Sequence, residues 1–341
     1  MNGLLGHVRL RPGQPDALQL HGPRGWLERL ALGRRADELP ALMASVHTLC
    51  AHGHALAARL ALQAAQGASG TAGEGERTAL ALAVARDHLL RIAHDWSRLL
   101  PRGGGEPLPL QDCPAWARAG RPHERLAALA PWLHRHWLDR PVPALLAELG
   151  ADPLGATQRW MRQVDTPLAR LLVRELPAAL ALPTPHRALC AASASQGITM
   201  PSRAVPDTGA WSRAHDTAAT PAHNAGMRLI ARLVDLLRLA APAGPDWLLA
   251  AGHALAEGRG LALVEVGRGL LCYELGVDMA QGQPSVRSLR VTSPSDWNLH
   301  PAGVLAEALR TVDDAPSATR LAVAFDPCVP FEIALPEAAH A

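Results

Sequence analysis

The sequence predicts an α+β fold that is mainly α-helical and formed as a single domain over residues 1–341. Three observations support this prediction: both ends of the chain carry strand-like runs, the middle has helical periodicity, and there is no internal repeat. Since the two ends share strand character, we expect the N- and C-terminal strand segments to pack together.

The N-terminal section, residues 1–66, is predicted to begin with strands and to end in a helix. Residues 4–31 alternate apolar and polar side chains around Pro and Gly turns, which predicts two short strands and then the start of a helix. From about residue 38 to residue 66 the pattern is helical, with Pro40 near its start. A loop is expected over residues 67–76.

The middle section, residues 77–181, is predicted to be helical throughout. Residues 77–100 give the clearest amphipathic helix, because apolar side chains return every three or four positions. Further helices are expected near residues 122–137, 141–149, 155–163 and 166–181.

The remaining chain divides into an irregular stretch and a C-terminal section. Residues 183–223 are rich in Pro, Ser, Thr and Gly, which predicts irregular structure. The C-terminal section, residues 225–341, opens with a helix over 225–240 and has another over 301–311. Val- and Leu-rich runs punctuated by Gly and Pro predict strands within 260–278, 286–298 and 320–335.

Composition narrows the function classes. The net charge is only +2, so it gives no electrostatic argument for nucleic-acid binding or for attachment to a membrane surface. No apolar stretch is long enough to span a bilayer, and no signal peptide is recognisable, so we expect a cytoplasmic protein. The five cysteines are scattered without a CxxC pair, which predicts reduced thiols and no four-cysteine zinc site.

Two cysteines have surroundings that suit metal chemistry. Cys50 lies in "VHTLCAHGH" just before an Ala/Leu-rich helix, whose N-terminal dipole is expected to stabilise a thiolate. Cys328 follows "FDP", in which Pro327 is expected to fix the backbone after a buried strand. Thiolates are soft ligands that suit iron and nickel, although a single cysteine can equally be a small buried apolar residue.

Several segments resemble, in the same order along the chain, the large subunit of nickel–iron hydrogenases. They are "LLGHVRL", "RGWLERLALGR" (with Arg24), "SVHTLCAHGH", "PDTGAWSR", "EVGRG", "TSPSDWNLHPAG" and "DPCVPFEIA". Each motif alone would be weak, but the ordered set covers both ends and the middle of the chain. The resemblance implies a hydrogenase large-subunit-like fold in a shortened form.

The departures from that family bear on activity. The resemblance implies four cysteines that hold nickel and an iron carrying carbon monoxide and cyanide. Here Cys50 and Cys328 match two of them, while His47 and Phe331 occupy the places of the others. Leu5 stands where the family has an acidic proton relay, and leucine transfers no protons. Hydrogen turnover and nickel binding are therefore not expected, and whether His47 serves as a ligand stays open.

Other positions of the resemblance surround the iron. It implies that Arg268 and the Pro294–Ser295 pair lie around the cyanides, and that His54 is the histidine of the first cysteine motif. The alternative is that Arg268 forms an ion pair and Ser295 belongs to a turn. Ala334 replaces the histidine of the last motif, so proteolytic maturation of the C-terminus is not expected.

These features together resemble a branch of hydrogenase accessory proteins, the large-subunit-like maturation factors of the HupK/HoxV type. The resemblance implies a non-catalytic scaffold that holds or assembles the Fe(CN)2(CO) unit for the catalytic large subunit. The implied partners are the hydrogenase large-subunit precursor, small hydrogenase-assembly chaperones and the iron–cyanide maturation complex. A divergent hydrogenase using His47 as a ligand, and a structural relative without metal, are the alternatives.

The remaining polar and aromatic candidates are assigned structural roles. His88 and His94 lie six apart on one helix, which does not place them on one face. Asp326 is expected to cap or orient the turn that carries Cys328. Cys272 is expected in the core, and Trp26 and Trp297 are expected to be packing residues. Cys113 and Cys190 lie in loop-like regions without a ligand pattern. His52 is expected to be either a turn residue or a spare ligand.

Overall fold

The fold is given by a computed structural model. It describes residues 6–22, 25–48, 50–187, 189, 200–213, 223–278 and 283–335. Three residues discussed above, Leu5, Arg24 and Cys190, lie outside the described residues.

A three-stranded sheet joins the two ends of the chain. Strand β1 (His7–Leu10) is its middle strand, paired antiparallel with β2 (Leu18–His21) and parallel with β8 (Phe331–Ile333). The side chains of Val8 and Leu10 point into the core and are fully buried. The prediction that the terminal strand segments pack together is thus confirmed, and β8 follows directly after the Cys328 motif.

The N-terminal helices lead to Cys50. Helix α1 (Trp26–Ala31) is followed by α2 (Leu39–Val46), and a break at His47–Cys50 separates α2 from α3 (Ala51–Ala65). The single helix predicted over 38–66 is therefore two helices, and two of the predicted metal-site residues, His47 and Cys50, lie at their junction.

A five-stranded antiparallel sheet packs against α3. Its strand order follows the chain: β3 (Gly70–Thr71), β4 (Ala250–Ala256), β5 (Arg259–Val266), β6 (Gly269–Asp278) and β7 (Ser285–Thr292). Strand β5 has a glycine where it crosses α3, because a Cβ at Gly260 would overlap the backbone of α3 at Ala61. This close approach fixes the C-terminal end of α3 against the start of β5.

A helical section covers the other side of the core. Helix α4 (Glu74–Leu90) continues without a break as a π-helix over Arg91–Trp96 and a last turn over Ser97–Leu99. The following helices are α5 (Pro122–Ala127), α6 (Leu129–Leu133) with a π-helical end over His134–Leu138, α7 (Val142–Ala151), α8 (Pro153–Gln163) and α9 (Pro167–Leu180). These agree with the predicted helical segments.

Helix α10 (Ala225–Ala240) runs through the centre of the helical section. It contacts α4, α7, α8 and α9, and every one of its residues except Arg238 is buried. A helix that is buried on all sides is normally apolar, yet α10 carries Arg228, Arg232 and Asp235. These charges must find partners inside the protein.

Two strand predictions in the C-terminal section are wrong in part, the first because residues 294–298 of the run 286–298 are helical. Residues 320–325 were expected to be a strand, but they lie in helix α13 (Ala315–Phe325), which follows α11 (Pro294–Asn298) and α12 (Val304–Leu309). The Asp314 side chain accepts the Ser317 N–H and Pro316 lies in the first turn, so the local sequence starts a helix. A short apolar run fits a buried helix as well as a strand.

Candidate functional site

Cys50 occupies the N-cap position of α3, at the break after α2. On the first turn of α3, Gly53 packs so closely on Val266 that a Cβ at residue 53 would overlap the Val266 side chain. Val266 ends β5, and the two-residue turn Gly267–Arg268 leads into β6. The packing of Gly53 on Val266 therefore places Cys50 beside Arg268.

Arg268 joins Cys50 to two carboxylates. Its Nη1 donates to the Cys50 Sγ at 3.0 Å, and its Nη2 lies 3.4 Å from Asp87 Oδ1. Its Nε lies 3.4 Å from Asp326 Oδ2. The side chain is 3% exposed, and the two carboxylates hold its pKa above the ordinary value against the effect of burial. The predicted ion pair is present, and the same guanidinium also faces the thiol.

Burial raises the pKa of the Cys50 thiol, and the Arg268 charge opposes that rise. Asp87, Cys328 and Asp326 add negative charge and raise the Cys50 pKa further. The expectation of a stabilised thiolate at this helix N-terminus is therefore wrong, because desolvation outweighs the favourable charge. The thiol is protonated at neutral pH and becomes a ligand only when a metal displaces its proton.

Cys328 also interacts electrostatically with Arg268 and is exposed. It follows the C-terminus of α13, where Asp326 adopts the left-handed conformation (φ 52°) and its N–H donates to Ala322 O at 2.9 Å. The strand that was expected before Pro327 is thus a helix end. The Cys328 Sγ lies 2.9 Å from Ser295 Oγ, at the start of α11. Ser295 therefore contacts the thiol itself.

Asp326 is surrounded by three arginines. Its carboxylate lies 3.1 Å from Arg91 Nε, 2.9 Å from Arg232 Nη2 and 3.4 Å from Arg268 Nε. Burial alone would raise the pKa of Asp326, but Arg232, Arg268 and Arg91 lower it to about 2. The carboxylate is thus held as an anion directly before the Cys328 turn.

A buried chain of charges continues from Asp326 to His88. Arg232 Nη1 lies 3.0 Å from His88 Nδ1, and His88 Nε2 lies 2.6 Å from Asp235 Oδ2. Because arginine can only donate, His88 Nδ1 accepts, and the ring proton on Nε2 is donated to Asp235. Arg213 Nη2 also donates to Asp235 Oδ2, at 2.7 Å. His88 is fully buried, in agreement with the structural role that we predicted.

Sequence reasoning missed the charged partners in this network: Asp87, Arg91, Arg213, Arg232 and Asp235. A usable signal was present, because several of these charges interrupt the apolar faces of "VARDHLLR" and "RLIARLVDLLR". A charge on the apolar side of a helix requires a buried partner.

His47 and His54 form a cluster of their own. Their rings stack with 3.4 Å between centroids, and His54 Nδ1 lies 2.8 Å from the Tyr273 hydroxyl. His47 Nδ1 lies 2.8 Å from Met43 O. Burial lowers the pKa of both rings, that of His54 far below its ordinary value. Both histidines are therefore neutral at physiological pH, and their Nδ1 atoms already have protein partners.

The described residues contain no group of three His, Cys, Asp or Glu side chains that could hold a metal ion. His47, Cys50 and Cys328 thus do not form a three-ligand set. The structure instead brings together two thiols that both interact electrostatically with the Arg268 guanidinium. Two thiols are fewer than the four protein ligands of a structural zinc site.

A cleft of about 500 Å³, the Cys328 cleft, opens beside Cys328. Phe331, at the position of a family cysteine, lies in its wall. The cleft lies between the end of the α4 helix, the end of α13 and the turn after it. Residues that define it are Arg91, Arg98, Leu99, Arg232, Cys328 and Phe331.

The remaining candidates differ in burial and in their partners. Pro294 is buried, and Asn298 Nδ2 donates to Thr208 O at 2.8 Å. Trp297 and Cys272 are each 2% exposed and belong to one small apolar cluster, as their packing roles predicted. Cys113 is buried in a loop, His94 and Trp26 are half-buried, and His52 is exposed.

Comparison with known proteins gives relatives that match nearly the whole chain. The chain is 30% identical to the hydrogenase expression/formation protein HoxV of Cupriavidus necator, over 98% of this chain and 96% of that protein. It is 29% identical to the hydrogenase expression/formation protein HupK of Rhizobium leguminosarum bv. viciae, over 95% of this chain and 94% of that protein. No protein-family model matches the sequence.

Solved structures confirm the predicted fold. An NAD+-reducing NiFe hydrogenase in the H2-reduced state superimposes with a TM-score of 0.52 at 17% identity, covering 91% of this chain and 92% of that chain. The NiFeSe hydrogenase of Desulfovibrio vulgaris Hildenborough in its oxidized state gives 0.51 at 15% identity, with coverage of 91% and 92%. In the part of the chain that the structure describes, no helix has both the length and the apolar character to cross a membrane.

Proposed function

The chain belongs to the family of HoxV and HupK hydrogenase expression/formation proteins, and we propose that it is a non-catalytic scaffold in nickel–iron hydrogenase maturation. Its cargo in this proposal is the Fe(CN)2(CO) unit, which it holds or assembles and passes to the catalytic large subunit. The names of the relatives support a maturation role and fit a protein that is not an enzyme.

One observation supports the cargo proposal: Cys50 and Cys328, 278 positions apart in the chain, both interact electrostatically with the same buried Arg268 and with each other. Two soft thiolates suit iron. The proposed unit brings three ligands, two cyanides and one carbon monoxide, so two protein thiolates leave few positions to fill. His47 remains a proposed additional ligand that would have to move to join the thiols, because the three side chains form no three-ligand group where they lie; its Nδ1 is engaged by Met43 O, which leaves Nε2 for that role.

The residues around the thiols have distinct proposed roles. Arg268 is a hydrogen-bond donor fixed by Asp87 and Asp326, and its N–H groups suit a cyanide nitrogen as acceptor. Ser295 contacts the Cys328 Sγ, so its hydroxyl supports the thiolate as well as any neighbouring cyanide. Pro294 and His54 remain proposed contacts of the cargo. Pro294 lies on α11 next to Ser295, and His54 stacks on His47.

Two thiolates also suit a protein that must release what it holds. The resemblance implies an acceptor whose four cysteines hold nickel as well as iron, so the iron unit becomes part of a complete two-metal site only there. Cys328 is exposed at a cleft, which supports access by a partner. The proposed partners are the large-subunit precursor, small assembly chaperones and the iron–cyanide maturation complex, all in the cytoplasm, without nucleic acid or membrane insertion.

The metal content of the full-length protein tests this function. Protein purified anaerobically from cells with intact maturation genes is expected to contain iron and no nickel, and to give no hydrogen-dependent dye reduction. Protein with nickel and dye reduction would instead indicate a divergent hydrogenase. Iron-free protein would contradict the proposal, and normal hydrogenase maturation in a deletion strain would then indicate a structural relative.

A further inference from the structure

The Cys328 cleft has an exposed apolar wall. Leu99, at the end of the α4 helix, is 41% exposed and lines the cleft. Phe331 and Val329 are half-buried and line the same cleft. These three side chains offer an apolar contact surface directly beside the Cys328 thiol.

The charges that line the cleft differ in whether they are already paired. Arg91 interacts with Asp87, Asp95 and Asp326, while Arg232 interacts with His88 and Asp326. Arg98 is exposed and makes no hydrogen bond or ion pair with any residue that the structure describes. The cleft therefore has one unpaired positive charge next to an apolar wall.

We propose that the Cys328 cleft docks a chain segment of a partner protein in which a leucine-like side chain lies next to a carboxylate. The apolar side chain packs between Leu99 and Phe331, and the carboxylate pairs with Arg98. A small inorganic anion would leave the apolar wall unused. A cleft of about 500 Å³ has room for a few amino-acid residues.

This docking rests on the proposed function in one respect: the docked segment is taken to belong to the partner that exchanges cargo with this protein. The docked segment lies against Cys328, the exposed thiol, so the partner approaches the cargo from this side. Docking itself depends on Arg98, Leu99 and Phe331 and does not require any metal to be bound.

Peptide binding to the full-length protein tests the proposal. The probe is a dye-labelled twelve-residue Gly/Ser peptide with a central leucine flanked by glutamates, compared with the same peptide carrying arginines in place of glutamates. Fluorescence anisotropy is expected to show about tenfold tighter binding of the glutamate peptide. Arg98→Glu is expected to reverse this preference, and Leu99→Asp to weaken the binding of both peptides.

Matched changes on exposed side chains of other elements provide the controls: Arg121→Glu for charge and Val173→Asp for apolar surface. Both are expected to bind the peptides as the wild type does. Equal binding of the two peptides, or an unchanged preference in Arg98→Glu, would overturn the proposal. Absence of iron in the wild-type protein contradicts the scaffold function, whereas this binding assay uses metal-free protein and decides the docking site separately.

Discussion

The Nη1 atom of Arg268 lies 3.0 Å from the Sγ atom of Cys50, although the two residues are 218 positions apart in the chain. The contact depends on the close packing of α3 on β5 and on a turn of only two residues after β5. It links the thiol to Asp87 and Asp326, and through Asp326 to the turn that carries Cys328. The two thiols therefore belong to one electrostatic unit.

Arg268 is expected to control the reactivity of Cys50. Its positive charge is the cause that lowers the pKa of Cys50 against burial and the neighbouring negative charges. Arg268→Gln should therefore raise that pKa further and slow alkylation of Cys50 by iodoacetamide, about tenfold for each unit of pKa. Mass spectrometry across a pH series measures the rate.

Arg268→Lys keeps the charge and is expected to slow alkylation much less than Arg268→Gln. Arg121→Gln, on an exposed side chain, is the control for general effects of losing an arginine. If Cys50 in folded Arg268→Gln protein reacted as fast as in the wild type, the electrostatic coupling would be refuted.

Gly53→Ala is expected to destabilise the protein. The added methyl group would overlap the Val266 side chain at the contact that positions Cys50, and such overpacking costs about 1–3 kcal/mol. Urea unfolding measures the loss. Gly150→Ala is the matched control, since it also lies in a helix but has no atom near its added Cβ; it should be neutral or stabilising. Equal free energies of unfolding for the two variants would contradict the packing argument.

Stability is expected to fall in mild acid. Burial lowers the pKa of His54 and of His88, so below about pH 6.5 the unfolded chain binds protons that the folded protein does not. Each histidine then removes about 1.4 kcal/mol from the free energy of unfolding per pH unit, down to its folded-state pKa. Below about pH 4, protonation of Asp326 in the unfolded chain adds to this loss, because the folded-state pKa is about 2.

Urea unfolding between pH 8 and pH 5 measures this slope. His54→Gln is expected to reduce it, whereas His123→Gln, at an exposed position, should leave it unchanged. A wild-type slope that His54→Gln does not alter would show that His54 is not a source of the pH dependence.

Phe331→Cys is expected to make the protein retain its cargo longer. By the resemblance to hydrogenase large subunits, this change restores a thiol at a lost ligand position, and Phe331 lines the same cleft as Cys328. A third thiolate should slow the loss of iron to a chelator and reduce delivery to the large subunit. Phe331→Leu controls for removal of the aromatic ring. Equal rates of iron loss from the two variants would argue against cargo in this cleft.

The sequence predicted the fold and most helices well, since long periodic segments such as residues 77–100 specify their structure locally. The α13 segment was misassigned because "RLAVAF" is too short for periodicity to decide, although Asp314 and Pro316 mark a helix start. The order of the motifs pointed to Cys50, Cys328 and Arg268 as site candidates, and the structure joins them in one electrostatic network. The links from Asp326 through Arg232 to His88 were missed because they join residues of different helices, and a single sequence carries no information on which charges meet.

The infrared spectrum of anaerobically purified protein tests the central claim most directly, since iron-bound carbon monoxide and cyanide give absorption bands in a region free of protein bands. We expect both kinds of band in the wild type, and their loss in Cys50→Ala and in Cys328→Ala. Cys113→Ala, which removes a buried cysteine in a loop away from the site, should keep them. Wild-type protein without these bands, from cells with intact maturation genes, would contradict the account, as would bands that persist when both Cys50 and Cys328 are replaced.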